Sequence, residues 1–137
     1  MAVLKHDGHD FVPDVPGTDT YCQLQSGAYG TADFFSRQIY AGKTAAADFR
    51  KRAGRSFFPE ADLILLEGFK YSTYPKIEII RKGNSAESVC NPEKLMAIAT
   101  NLDAEERDAL SVLENVPFFE LDNAECIAEF ILSDYFR

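Results

Sequence analysis

The chain has 137 residues, 46% of them hydrophobic, and its 11 Phe and 6 Tyr provide enough apolar bulk for the core of a single folded domain rather than a disordered tail. Its formal net charge is −8, and residues 101–137 carry ten acidic but only two basic residues. This balance argues against nucleic acid as a partner, because Lys and Arg contacts to phosphate provide most of that affinity.

The chain also lacks the marks of a membrane or secreted protein. No apolar run approaches the roughly 20 residues that a membrane helix needs, and the N-terminus does not resemble a signal peptide. The three cysteines (Cys22, Cys90 and Cys126) are far apart, and no two of them form a C-x-x-C pair. We therefore predict a cytoplasmic protein with reduced thiols, no membrane contact and no zinc ribbon.

The first half of the chain contains five predicted elements. Thr18 or Asp19 caps a helix that runs to about Ser26 and stops at Gly27, and a β-rich segment after it can form a hairpin with the residues that follow. In chain order the elements are a strand over Ala2–Lys5, the helix, a strand over Ala28–Ser36, its hairpin partner over Gln38–Tyr40, and a helix over Thr44–Ala53.

The second half alternates strands and helices. Its clearest strand, Ala61–Leu66, is apolar without alternation, which is typical of a strand covered on both faces. The others are strands over Lys76–Arg81, Leu95–Thr100 and Phe118–Leu121, and helices over Asp103–Leu113 and from Asn123 to Phe136. The pattern predicts an α/β fold with a mostly parallel sheet, in which Ala61–Leu66, Lys76–Arg81 and Leu95–Thr100 share one sheet flanked by helices.

A first polar cluster begins where the first strand ends, with the residues KHDGHD followed by PDVPGTDTY. Open α/β sheets place their ligand crevice after the carboxyl ends of strands, so this glycine-rich loop is a candidate binding site. A solvated loop with Asx turns explains the same composition. His6 and His9 have a spacing that can hold a metal, but two histidines make only half of a site.

A second cluster has the sequence LILLEGFK, in which four apolar residues precede Glu67 and Gly68. A carboxylate at the end of a buried strand can hold magnesium or orient water near a phosphate, although an acid can also simply end a strand. Lys5 and Lys70 are the partners expected for this carboxylate. The G-K-T at 42–44 is not a phosphate loop, because the glycine required five residues before Gly42 is Arg37.

Together these segments resemble the MobB family of molybdopterin-guanine dinucleotide biosynthesis proteins. The resemblance rests on KHDGHDFVPDVPGTDTY, SGAYGTA, ADLILLEGFKYSTYPKIEIIR and AIATN, in that order, over about residues 3–102. It implies a P-loop NTPase-like domain that binds GTP with Mg²⁺, forms a homodimer and has weak GTPase activity. It also implies a role in assisting a MobA-like nucleotidyltransferase that joins GMP to molybdopterin.

The resemblance assigns roles to individual positions. Glu67 corresponds to the catalytic and Mg²⁺-binding acid at the end of a Walker-B-like strand. The nucleotide or cofactor contacts implied by position are Lys5, His6, His9, Asp14, Asp19, Gly68, Lys70, Thr100 and Asn101.

The sequence departs from the family at its start. Family members begin with a strand, a G-x-x-x-x-G-K-T loop and a helix before the KH motif, whereas Met1 here falls at the second strand. We therefore expect an N-terminally truncated version of the domain with weak GTP binding and no hydrolysis, because that loop supplies most of the phosphate contacts. The alternatives are a nucleotide-free dimerisation or interaction module, and a metal-handling protein that uses His6 and His9.

Overall fold

The structure, a computed structural model, describes residues 1–6, 15–35, 38–41, 58–84, 87–110 and 115–135. The contacts divide the chain into two units, Met1–Phe69 and Lys70–Arg137. Each unit has its own sheet, so the two are described in turn.

The first unit contains a four-stranded sheet with the order β3-β2-β1-β4. Strand β1 pairs in parallel with both β2 and β4, and β3 is the antiparallel hairpin partner of β2. Because β1, β2 and β4 are parallel, their carboxyl ends lie at the same edge of the sheet. Its elements are β1 (Ala2–His6), α1 (Asp19–Gln25), β2 (Gly30–Phe35), β3 (Gln38–Ala41) and β4 (Ile64–Glu67).

Helix α1 follows directly from its capping residues. The Thr18 side chain accepts a hydrogen bond from the Tyr21 N–H and satisfies one of the unpaired donors of the first turn. After the last turn Gly27 has a φ of +92°, a conformation that favours glycine and ends the helix. The sequence predicted both the cap and the stop.

The second unit contains a three-stranded parallel sheet with the order β5-β6-β7. Helix α3 packs on one face of this sheet, where the rings of Phe130 and Phe119 lie 5.1 Å apart. The elements are β5 (Lys76–Ile80), a 3-10 turn (Pro92–Lys94), β6 (Leu95–Thr100), α2 (Ala104–Asp108), β7 (Phe118–Glu120) and α3 (Ala124–Tyr135).

Each unit has a separate apolar core. Burial of each Leu, Ile or Phe side chain in these cores stabilises the fold by about 1.5–3 kcal/mol. The first core consists of Ala2, Leu4, Ala32 and Phe58, and the second of Ile80, Leu95, Ile98, Leu102 and Leu110.

Three expectations from the sequence need correction. The predicted single sheet is wrong in its pairing, because β4 belongs to the first sheet while β5 and β6 belong to the second. Strand β4 begins at Ile64 rather than Ala61, and its apolar residues are only half-buried because it is an edge strand among the described residues. The helix predicted over Asp103–Leu113 is shorter than expected: it spans Ala104–Asp108 and a turn follows at 109–110, while residues 111–113 lie outside the described residues.

Two further sequence predictions fall outside the described residues. They are the helix over residues 44–53 and the end of the last helix at residue 136. Within the described ranges, no helix is long and apolar enough to cross a membrane. All three cysteines are free thiols, as predicted.

Candidate functional site

The first unit brings charged side chains together at the carboxyl ends of its parallel strands. Lys5 near the end of β1 is in register with Glu67 at the end of β4, and on its other side with Asp33 of β2. Partners in register on neighbouring parallel strands project from the same face of a sheet. Lys5 and Glu67, which lie in two separate sequence motifs and which we expected to be partners, are therefore neighbours.

The side chain of Lys5 is largely enclosed. The Lys5 side chain is only 15% exposed, and its Nζ forms an ion pair with Asp19, which is 63% exposed. Asp33 is 2% exposed. Lys5 is thus flanked in register by two acidic residues and paired with a third, so the edge of the sheet has an excess of hydrogen-bond acceptors. Such an edge accommodates an anion most readily when a cation accompanies it.

Helix α1 supplies two of the groups at this edge. Asp19 and Gln23 are four residues apart, so their side chains share one face of the helix. Asp19 reaches Lys5, and the Gln23 amide donates a hydrogen bond from Nε2 to Glu67 Oε2 over 3.2 Å. The sequence analysis did not single out Gln23, although its helical spacing from Asp19 was a signal that could have identified it.

Gly68 brings the ends of β4 and β1 into close approach. Its φ is +80°, and a Cβ atom at this position would lie 2.5 Å from the backbone oxygen of His6. Only glycine meets both conditions without strain. His6 itself is exposed and packs edge-on against Phe69, with ring centroids 5.6 Å apart. Of the predicted site residues, the structure thus brings together Lys5, His6, Asp19, Glu67 and Gly68.

Lys70, Thr100 and Asn101 belong to the second unit. Lys70 lies over the ring of Tyr71, at 5.1 Å from its centroid. Thr100 is completely buried, and its hydroxyl accepts a hydrogen bond from the Leu102 N–H at 3.0 Å. The Asn101 side chain accepts a hydrogen bond from the backbone N–H of Lys82 at 2.7 Å. The nucleotide or cofactor contacts predicted for Thr100 and Asn101 remain predictions, and both side chains organise the turn after β6.

The same turn carries a network of ion pairs. Lys82 Nζ lies 2.9 Å from Asp103 and 2.8 Å from Glu106, and Asp103 and Glu106 form a capping box at the start of α2. The hydrogen bond from Lys82 and that from the Glu106 N–H lower the pKa of Asp103 to about 2. The hydrogen bonds to Glu106 and Asp103 in turn raise the pKa of Lys82. These charges link the carboxyl ends of β5 and β6 to α2.

The remaining sequence predictions cannot be placed. His9, Asp14 and the G-K-T at 42–44 lie outside the described residues. In the part of the chain that is described, no group of three or more His, Cys, Asp or Glu side chains is arranged to hold a metal ion.

Comparison with known proteins links the chain and its fold to one family. Residues 1–101 match the family profile of MobB, "Molybdopterin guanine dinucleotide synthesis protein B". The molybdopterin-guanine dinucleotide biosynthesis adapter protein of Escherichia coli (strain K12) is 29% identical over 141 residues, which is 95% of this chain and 73% of that protein. The crystal structure of Bacillus subtilis MobB matches with a TM-score of 0.50 and 26% identity, over 96% of this chain and 77% of that one. The likeness confirms the predicted α/β, P-loop NTPase-like fold class.

Proposed function

Because the chain belongs to the MobB family, we propose that it is an accessory adapter protein in the biosynthesis of molybdopterin guanine dinucleotide. In this role it binds GTP and assists a MobA-like nucleotidyltransferase that joins GMP to molybdopterin. The observation that carries the proposal is the juxtaposition of Lys5 and Glu67 at the carboxyl edge of the parallel sheet. Ligands of open α/β sheets bind at this edge.

The residues at this edge fit a magnesium–phosphate ligand. Mg²⁺ keeps several of its waters and binds proteins through one or two carboxylates together with substrate phosphates, so it does not need a cluster of three protein ligands. Glu67 is an exposed carboxylate at the end of β4, and Lys5 provides an ammonium group for a phosphate oxygen. When bound, Mg²⁺ would neutralise phosphate charge next to the acidic side chains of this edge.

The Lys5–Asp19 ion pair sets a condition for binding. A phosphate that contacts Lys5 must share the ammonium with Asp19 or displace it. Asp19 is therefore proposed to order the Lys5 side chain before the ligand arrives, and Gly68 to keep the ends of β1 and β4 close enough for one ligand to meet both.

Calorimetric titration of the protein with GTP, in the presence and in the absence of Mg²⁺, tests the site. We expect Mg²⁺ to strengthen GTP binding, Lys5→Met to weaken binding under both conditions, and Glu67→Gln to remove the Mg²⁺ effect. Glu125→Gln on α3 is the matched charge control and should bind as the unchanged protein does. Equal affinities for all four proteins would show that GTP does not bind at this edge.

A reconstitution tests the adapter role itself. A MobA-like nucleotidyltransferase, molybdopterin and GTP are mixed with or without the chain, and the yield of guanine dinucleotide is measured. We expect a higher yield with the chain present and a smaller gain with Lys5→Met. An undiminished gain with Lys5→Met would favour the alternative, an interaction module that works without bound nucleotide. The homodimer implied by the family is tested separately by sedimentation.

A further inference from the structure

Gln23 lies where helix α1 crosses the ends of two strands. Asp19, one helical turn before it, reaches Lys5 at the end of β1, and Gln23 reaches Glu67 at the end of β4. Lys5 and Glu67 are themselves partners in register. The helix therefore contacts both members of the strand-end pair through two side chains on one face.

The orientation of the Gln23 amide is determined by Glu67. Its Nε2 donates to the Glu67 carboxylate, and a reversed amide would instead set oxygen against oxygen. In this orientation Gln23 Oε1 is buried and accepts no hydrogen bond from any described residue. A buried acceptor without a donor destabilises a fold, so stability alone does not explain the arrangement. Groups of this kind need a specific explanation, and functional sites are one of the places where they occur.

We propose that Gln23 is a positioning residue for Glu67. The exposed Glu67 side chain has several rotamers available to it, and the hydrogen bond from Gln23 holds its carboxylate in one of them, at the end of β4 beside Lys5. A carboxylate held in place in this way binds a cation with a smaller loss of side-chain entropy. The inference rests on the proposed function, because it takes Glu67 to be the residue that meets Mg²⁺.

The test adds Mg²⁺ to the full chain in the presence of a fixed concentration of GTP, because the site is proposed to hold Mg²⁺ together with phosphate. Affinity is read from the backbone amide shifts of Glu67 and Gly68 in a magnesium titration followed by NMR. Gln23→Leu removes the amide, and Gln23→Asn keeps it but shortens its reach. We expect each to weaken Mg²⁺ binding by about 3- to 10-fold, the range of one ordinary hydrogen bond. Gln25→Leu, on the exposed side of the same helix, is the matched control and should leave the affinity unchanged.

A double variant shows whether Gln23 acts through Glu67. If it does, Gln23→Leu has no further effect on Mg²⁺ affinity in a Glu67→Gln background. A second readout is the pair of side-chain amide proton signals of Gln23. These should shift when Mg²⁺ is added to the unchanged protein and stay in place in Glu67→Gln.

Three results would overturn the inference. If Glu67→Gln weakens Mg²⁺ binding but neither Gln23 variant does, Gln23 has no positioning role and the proposed site stands. If Gln23→Leu weakens binding equally in the Glu67→Gln background, it acts by some other route than Glu67. If neither Glu67→Gln nor the Gln23 variants change the affinity, the inference and the proposed magnesium role of Glu67 fail together.

Discussion

Replacement of Gly68 by alanine should destabilise the first unit through two separable effects. The φ of +80° disfavours any residue with a Cβ, by about 1–2 kcal/mol, and the lower chain entropy of alanine in the unfolded state offsets about 0.4–1 kcal/mol of this. The new Cβ would also lie 2.5 Å from the His6 backbone oxygen, about 0.9 Å inside an ordinary contact. Relief of such overpacking costs about 1–3 kcal/mol.

The expected total for Gly68→Ala is therefore about 1–4.6 kcal/mol. Gly27 and Gly83 are matched controls, with φ of +92° and +81° and nothing within 4 Å of the added Cβ. Their alanine variants should show only the backbone effect, about 0–1.6 kcal/mol. The difference between Gly68→Ala and Gly27→Ala isolates the contact with His6, because both residues lie in the first unit.

Native-state hydrogen exchange of the β1 and β4 amides measures this destabilisation in the unit concerned. The amide of Lys5, one residue before His6, should lose the most protection, since the end of β1 must move to admit the Cβ. If Gly68→Ala costs no more than Gly27→Ala, the close approach of β4 to β1 is not a constraint on this fold, and the argument for Gly68 at the site fails with it.

Three other predictions concern the rest of the chain. Gly30→Ala should destabilise the first unit, because its Cβ would lie 2.3 Å from the Phe58 ring. Urea unfolding should show a lower free energy of unfolding, and the double variant with Phe58→Leu should recover part of that free energy. Burial raises the pKa of the Cys90 thiol, so at pH 8 Cys90 should react with iodoacetamide more slowly than the two exposed cysteines. Mass spectrometry of the labelled peptides measures the rates, and equal rates would contradict the burial of Cys90. The pKa of Asp103 is lowered to about 2 from its ordinary 3.8, with the hydrogen bond from Lys82 as the largest cause. Its stabilising contribution is therefore present above pH 3.8 and lost as the pH falls through about 2. As the pH is lowered from 5 to 2, the urea midpoint of Asp103→Asn should fall less steeply than that of the unchanged protein. An identical pH dependence of the two proteins would rule this contribution out.

The local elements of the fold were predictable because their signals lie within a few residues. The cap at Thr18 and the stop at Gly27 bound α1 from within the chain segment itself. The apolar run of β6 and the capping box at Asp103 are signals of the same kind. The hairpin between β2 and β3 also followed from sequence, because its two strands are close along the chain.

The pairing of strands was not predictable in the same way. An apolar run such as that of β4 indicates that a strand is partly buried. It does not show which other strand forms backbone hydrogen bonds with it. That choice depends on contacts between residues far apart in sequence, such as Ala2 of β1 with Ile64 of β4. For this reason the sequence indicated one sheet, and the structure shows two.

The same distinction between sequence and tertiary structure applies to the candidate site. The sequence by itself indicated that Lys5 and Glu67 lie near the ends of parallel strands, because each follows an apolar run, and it identified the chain as a member of the MobB family. The tertiary structure placed Lys5 in register with Glu67, as the sequence had led us to expect, whereas Lys70 lies over Tyr71. Only the tertiary structure decided that Asp19 pairs with Lys5 and that Gln23 donates to Glu67. Side-chain partners depend on how a helix lies across a sheet. That placement results from the packing of a whole helix face against a whole sheet face, so no single residue in the sequence indicates it.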